Sequence, residues 1–422
     1  MALTDYTPGR LRRTLAPITA DQLKFYMYSE PTGGIYEDEI ESVSIFRGTD
    51  GRATGSNPSV MELTLTGQRL AKVSGHNIRF GLRESPASLL ATHLGGSATG
   101  ADIETRYTGR VGTTAINDRG TRSSTTYSAA SWIAQMNYSP VHYTPTAGQY
   151  LHTVIQGLAH ADEPLRGITL TSHGNLPNIA TTDSPQLFKD GIGKYAADLG
   201  VLMRETRDGR TQVMGHEYRY TMAMNRLSSA IPLIRSEAIS PADYEQPNER
   251  PGAIVQFKVT NENNLVSTRT AETTNPNGEL RETVERDWSY IKVTNTDNQP
   301  YREAYAQVYE SNNREFRIPK IKIDLLYLIG SNSDYHKQQA AQLLALEAGD
   351  PIFLSGDWAT ALGGIHFAEG IRENITPDEW SLELSLVPIA QAIGYTGTSV
   401  PAKAWDSAVH PWDSETREWN QA

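Results

Sequence analysis

Apolar and polar positions first alternate between residues 40 and 66. Met61, Leu63 and Leu65 take turns with Glu62, Thr64 and Thr66, the period-two pattern of a strand with one buried face. Val43 and Ile45 carry the same pattern ahead of the turn-rich stretch FRGTDGRATGSNPS. Downstream, RYTGRVGTTAINDRGTRSSTTY reads as short strands broken by glycine. Two short helices interrupt this part. One is expected to open at Ser85-Pro86, an N-cap with proline at the first helical position, and to end at Gly95. The other is SAASWIAQMN, with Trp132, Ile133 and Met136 on one face.

The period changes after residue 140. Thr146 and Gln149 form a capping box, and Leu151, Val154, Ile155 and Leu158 follow at helical spacing. A second helix is expected from Ser184-Pro185 to Gly200, with Phe188, Ile192, Tyr195 and Leu199 on its stripe. VLMRETRDGRTQVM then reads as two strands around a type I′ turn at Asp208-Gly209. Alternation returns at Ala253, Val255, Phe257 and Val259. The polar stretch 261–282 is expected to be a long hairpin tip, with RDWSYIKVTN as the returning partner strand. Tyr301, Tyr305, Val308 and Tyr309 mark a short helix, and Ile321, Ile323, Leu325 and Tyr327 a strand. LEAGDPIFLSG reads as strand, turn, strand. Trp380, Leu382, Leu384 and Leu386 form a last strand that ends before Pro388. No repeat of 20–50 residues is present, which excludes solenoids and propellers.

These patterns divide the chain into a strand-rich part (1–140), an α+β part (141–240), a second strand-rich part with a long hairpin and a short helix (241–400), and a tail (401–422). The expected class is mainly β with α+β parts. At 422 residues the chain can bury several cores without metal or disulfide staples. Asp plus Glu is 49 against 38 Lys plus Arg, and a net charge of -11 argues against a general nucleic-acid binder. With no cysteine, disulfides, thiolate zinc sites, iron–sulfur clusters and thiol nucleophiles are excluded. The opening MALTDYTPGRLRRTLAPITADQ has no apolar core, so no signal peptide is expected. The uncharged stretch from Leu384 to Ala402 is broken by Pro388, Gly394, Gly397 and Pro401 and does not fit a spanning helix. The expectation is a soluble protein without membrane insertion, made in or released from a cytoplasm.

Catalytic signatures are missing: no phosphate-binding loop, dinucleotide fingerprint, nucleophile elbow or zinc-protease motif occurs. His152 and His160 lie two helical turns apart, about 12 Å, too far to share a metal. His216 and Glu217, adjacent on a strand, point to opposite faces. Asp287 beside Trp288, and Glu347 near Asp350, are the pairs a glycosidase would need, but carboxylates at strand ends and turns are ordinarily just solvated. No catalytic residue, cofactor or metal is expected. The tail is more informative. Trp405, Trp412 and Trp419 recur every seven residues, and Pro411 argues against one continuous helix. Three tryptophans in a polar tail either anchor on a partner or fold back on their own domain, and both readings stand open.

Several stretches resemble the tail hub (minor tail, or baseplate hub) proteins of long-tailed bacteriophages, most closely those of phages infecting actinobacteria. They are SVSIFRGTDGRATGSNPSVMELTLTG, RYTGRVGTTAINDRGTRSSTTYSAASWIAQMN, LGVLMRETRDGRTQVMGHEYR, LEAGDPIFLSG and HFAEGIRENITPDEWSLELSLVP, in the family's order from residue 40 to 390. The resemblance implies two small β-barrel tube domains, with the α+β part outside them. It implies a homotrimer at the distal end of the virion tail, beside the distal tail protein, the C-terminus of the tape-measure protein and other tail-tip or receptor-binding proteins. It further implies only transient, non-specific passage of DNA through a bore, and assembly in the bacterial cytoplasm; the net charge of -11 allows a bore wall that is acidic or neutral. Such a protein is structural, not an enzyme. The alternative is a carbohydrate-binding or carbohydrate-cleaving tail protein at the host surface; a hexameric distal tail adaptor is a further one.

Overall fold

In the computed structural model, buried and exposed side chains alternate along Val60–Thr66, as the pattern of Met61, Leu63 and Leu65 predicts. The structure describes most of residues 25–82, 105–137, 200–214, 230–292, 300–308 and 317–388, and short stretches between 142 and 198. The helix expected at Ser85–Gly95, the Thr146 capping box, His152, His160, His216, Glu217 and the tail tryptophans lie outside the described residues.

The first part supplies β1 (Phe25–Ser29), β2 (Gly33–Tyr36), β3 (Ile40–Gly48), β4 (Gly55–Ser56), β5 (Val60–Thr66), β6 (Asn77–Leu82), β7 (Thr105–Asp118) and β8 (Ser123–Ala130). Helix α1 (Trp132–Asn137) follows, with Ile133 and Met136 buried. Next come β9 (His142–Tyr143), β10 (Leu170–His173), β11 (Gln186–Leu187), α2 (Lys194–Asp198), β12 (Leu202–Glu205) and β13 (Thr211–Met214). The later part holds β14 (Ile231–Ile234), β15 (Ile239–Glu245), β16 (Gly252–Thr260), β17 (Val266–Ala271), β18 (Arg281–Lys292) and β19 (Arg317–Asp324). It ends with α3 (Leu325–Gly330), α4 (Asp334–Leu344), β20 (Asp350–Ser355), β21 (Gly364–Thr376) and β22 (Glu379–Pro388). The chain is thus mainly β with few helices, as the sequence implies.

The two strand-rich parts meet in one 13-stranded sheet, ordered β15-β19-β22-β21-β3-β5-β8-β7-β6-β1-β2, with β20 and β14 branching from β21. The junction is the antiparallel pairing of β3 with β21, Val43 opposite Ile375 and Arg47 opposite Ile371. A bulge between Ala368 and Gly370 divides β21, so that its first half pairs with β20 and its second with β3. The bulge places the Glu369 carbonyl against the turn after β3, where it accepts from Thr49 N at 3.0 Å. Gly48 has φ +86 there, and a Cβ at that position would collide with the Glu369 carbonyl oxygen, so only glycine fits. One core, from Met27 and Val43 to Leu384 and Leu386, runs beneath this sheet.

A smaller four-stranded sheet, β10-β13-β12-β4, takes two strands from the β12–β13 hairpin and one from the loop between β3 and β5. The hairpin turn is not type I′. Gly209 N donates to Thr206 O at 2.9 Å and Thr206 N to Arg210 O at 2.9 Å, a three-residue loop with Gly209 left-handed at φ +84. The tighter turn would need two residues between the bonded pair, and here there are three.

Five other sequence expectations are corrected. Ser184-Pro185 does not open a helix: Gln186–Leu187 is a strand paired with β9, and α2 begins at Lys194. The polar stretch 261–282 is not one hairpin tip, because β17 pairs antiparallel with β16 within it and β18 then runs parallel to β16 on the other side. Leu325 and Tyr327 belong to a helix, since the Asp324 side chain ends β19 by accepting from Tyr327 N at 2.9 Å. Before Gly349 there is no strand but the end of α4 and a turn. The last strand also reaches Pro388, opposite His366.

Candidate functional site

Charged side chains converge where the two strand-rich parts and the hairpin meet. Arg47 sits on β3 at the parity of Val43 and Ile45, so it points into the core with them. Glu373 holds the same relation to Ile371 and Ile375 on β21. Arg106, near the start of β7, reaches both. Its Nε and Nη2 donate to the Glu373 carboxylate at 2.9 and 2.7 Å, a bidentate pair, and its Nη1 donates to Leu344 O at the end of α4 at 2.6 Å. Trp380 Nε1 donates to Glu373 Oε1 at 3.0 Å. Arg47 donates to Arg106 O at 2.6 Å and lies 3.6 Å from Glu373 Oε2. All three charged side chains are at most 2 % exposed.

The hairpin docks beside this cluster through two more ion pairs. Arg207 Nε donates to Glu347 Oε1 at 2.8 Å. Arg204 Nη1 meets Asp350 Oδ1 at 3.2 Å and also donates to the Ala348 carbonyl, while its Nε donates to Gln212 at 2.9 Å. The receiving loop is shaped by Gly349, at φ +87, and by Asp350 Oδ2 accepting from Glu347 N at 3.1 Å. The fourth carboxylate is Glu205, whose Oε1 caps α1 by accepting from Ile133 N at 3.0 Å.

Electrostatics follow the geometry. Burial pushes the Glu373 carboxyl up, but the Arg106 and Arg47 guanidiniums override it and hold it below the ordinary value. Burial, and then the neighbouring Arg106 charge, brings Arg47 down to about 10, so it stays cationic at neutral pH. Burial likewise lowers Arg106. Such a network is mechanical in character. It ties β3, β7, β21 and the hairpin together, with Glu373, Glu347 and Asp350 each paired with a guanidinium.

The sequence-predicted candidates fare as follows. Glu347 and Asp350 are brought together, but each is paired with a hairpin arginine. Asp287 is exposed on β18, while Trp288 is buried against Phe257 with ring centroids 5.3 Å apart, so the two side chains face opposite ways. Among the described residues no three His, Asp or Glu side chains gather to hold a metal, and no helix is long and apolar enough to cross a membrane. Sequence reasoning assigned no role to Arg47, Arg106, Arg204, Arg207 or Glu373. Their signal is nevertheless present: Arg47 and Glu373 are charges at apolar parity in otherwise alternating strands. All five also lie in the fragments that carry the phage-tail resemblance.

No protein-family model matches the chain, and no curated protein matches it by sequence. Solved structures do match by fold. The tail protein from Neisseria meningitidis MC58 superposes with a TM-score of 0.57 at 13% identity, over 88% of this chain and 99% of that one. The 43 kDa tail protein of prophage MuSo2 from Shewanella oneidensis gives 0.55 at 12% identity, over 87% and 99%. The chain therefore shares the fold of phage tail proteins along nearly their whole length.

Proposed function

We propose that this chain is a structural protein of a phage tail, the tip or baseplate hub that closes the distal end of the tail tube. The observation that carries the reading is the fold match over 99% of two tail proteins, reached from a chain whose motifs point to the same family. The ionic junction supports it, because a hub must hold its modules in fixed register under load. In this reading the protein is a homotrimer in the virion, assembled in the host cytoplasm. It adjoins the distal tail protein, the tape-measure C-terminus and receptor-binding proteins, and it organises them for attachment and genome ejection. The fragments look most like those of tail hub proteins from phages of actinobacteria. The bore wall carries more Asp and Glu than Lys and Arg, since a basic wall would hold the passing phosphates. Trp405, Trp412 and Trp419 anchor the tail of the chain on a neighbour.

Native mass spectrometry with negative-stain electron microscopy tests the assignment. Three copies in a ring with a central bore are expected. A monomer that never assembles overturns the hub, and six copies favour the distal tail adaptor. Truncation after Val400 should leave folded domains with weakened assembly; loss of folding would end the anchor reading.

A further inference from the structure

Among the described residues, three carboxylates of the junction are paired with arginines, and Glu205 stands apart from them. Glu373 has Arg106 and Arg47, Glu347 has Arg207, and Asp350 has Arg204. Glu205 is 3 % exposed, and the groups around its carboxyl are dipoles: the N–H groups of Trp132 and Ile133 and the hydroxyls of Ser131 and Thr211. Its Oε2 is buried without a hydrogen-bond partner. Of the three arginines of its own hairpin, Arg204 pairs with Asp350, Arg207 pairs with Glu347, and Arg210 is exposed at the turn. From β7 the titratable group that faces it is the Tyr107 hydroxyl, itself buried and neutral. Among the described residues no cation is paired with this carboxylate, and a buried charge without one is costly. The neutral acid carries no charge to desolvate.

We infer that Glu205 is a proton-operated latch: protonated, it holds the β12–β13 hairpin against the end of β8 and the start of α1, and ionised, it loosens that contact. Burial pushes its pKa up to about 7, against the smaller downward pull of the surrounding Ser131, Ile133, Trp132 and Thr211 dipoles. The sign follows from linkage. A raised acid stabilises the closed contact fully below the unfolded value near 4.5, and that stabilisation is lost as pH rises through about 7. The Arg204–Asp350 and Arg207–Glu347 pairs tie the hairpin down at other points, so it remains tethered while its contact with α1 opens. The latch does not depend on the hub reading.

Hydrogen exchange of the full-length protein, read by mass spectrometry and divided by intrinsic rates, tests it. Between pH 5.5 and 7.5, protection of peptides covering 131–137 and 201–214 should fall about twentyfold, the ratio linkage gives for values of 4.5 and 7. Peptides of β22 should not follow. In Glu205→Gln, neutral and of the same shape, the same peptides should change less than about twofold. If that variant does not fold, Glu205→Leu replaces it as the neutral control. A flat wild-type profile overturns the latch whatever the variants do, and so does an equal slope in wild type and variant.

Discussion

Glu373→Gln keeps the shape of the side chain and removes its charge, which leaves Arg106 and Arg47 buried without their counter-ion. The amide oxygen can still accept from Trp380 and from Arg106 Nε, so the Oε1 side of the site survives. The other arm, 2.7 Å from Arg106 Nη2, becomes a donor facing a donor. Breaking a buried pair by removing one partner costs roughly 3–5 kcal/mol, and the retained arm puts the expected loss at about 3. For a cooperative unit of 150–250 residues this lowers Tm by roughly 6–12 °C. Urea unfolding followed by tryptophan fluorescence reads the loss, with Trp380 and Trp358 as buried reporters. The pH dependence sharpens the test. Glu373 is held below its ordinary value, so its contribution is present above about 4.5 and is lost as pH falls through the folded value. Wild type and variant should therefore differ at pH 7 and converge in acid. A variant within about 1 kcal/mol of wild type at pH 7 would refute the view that the pair locks the junction.

Gly48→Ala forces a left-handed residue against the Glu369 carbonyl and should cost at least about 2 kcal/mol in the same urea assay; a neutral outcome would show that the β3–β21 register is wrong. Trp358→Phe removes the Nε1 donor that meets Leu233 O at 2.6 Å, for a loss of about 1 kcal/mol; an unchanged midpoint would mean that the bond is not made.

What the sequence made legible was the set of strands with one clean buried face. β5 and β16 place apolar side chains at every second position, because water lies on one side and the core on the other; β22 keeps the alternation although Ser381 and Ser385 on its other face are buried too. Legibility failed where a polar residue did two jobs or where direction mattered. Asp324 stops a strand and caps a helix, and the period-two run through Leu325 and Tyr327 conceals Leu325, Leu328 and Ile329 on one helical face. Helix α4 hid because Gln339 and Gln342 are buried in it and interrupt the apolar stripe. Nothing in the composition of β18 distinguishes parallel from antiparallel pairing. The junction was harder still. Arg106 and Glu373 are 267 residues apart, and an arginine read alone is taken as a surface residue. Only its parity betrays it.

The union of β3 with β21 also sets a timetable. Ser44 bonds Asn374 across 330 residues and Asp50 bonds Ser385 across 335, so the middle of the main sheet cannot form until the chain is nearly finished. At about 5–20 residues per second, β3 waits roughly 15–65 s on the ribosome with one edge unpaired. Contacts this distant along the chain make for slow folding, and an open edge invites pairing with another nascent chain. During that interval the nascent protein has most to gain from a chaperone, and a ribosome stalling between β8 and β20 would release chains prone to aggregate.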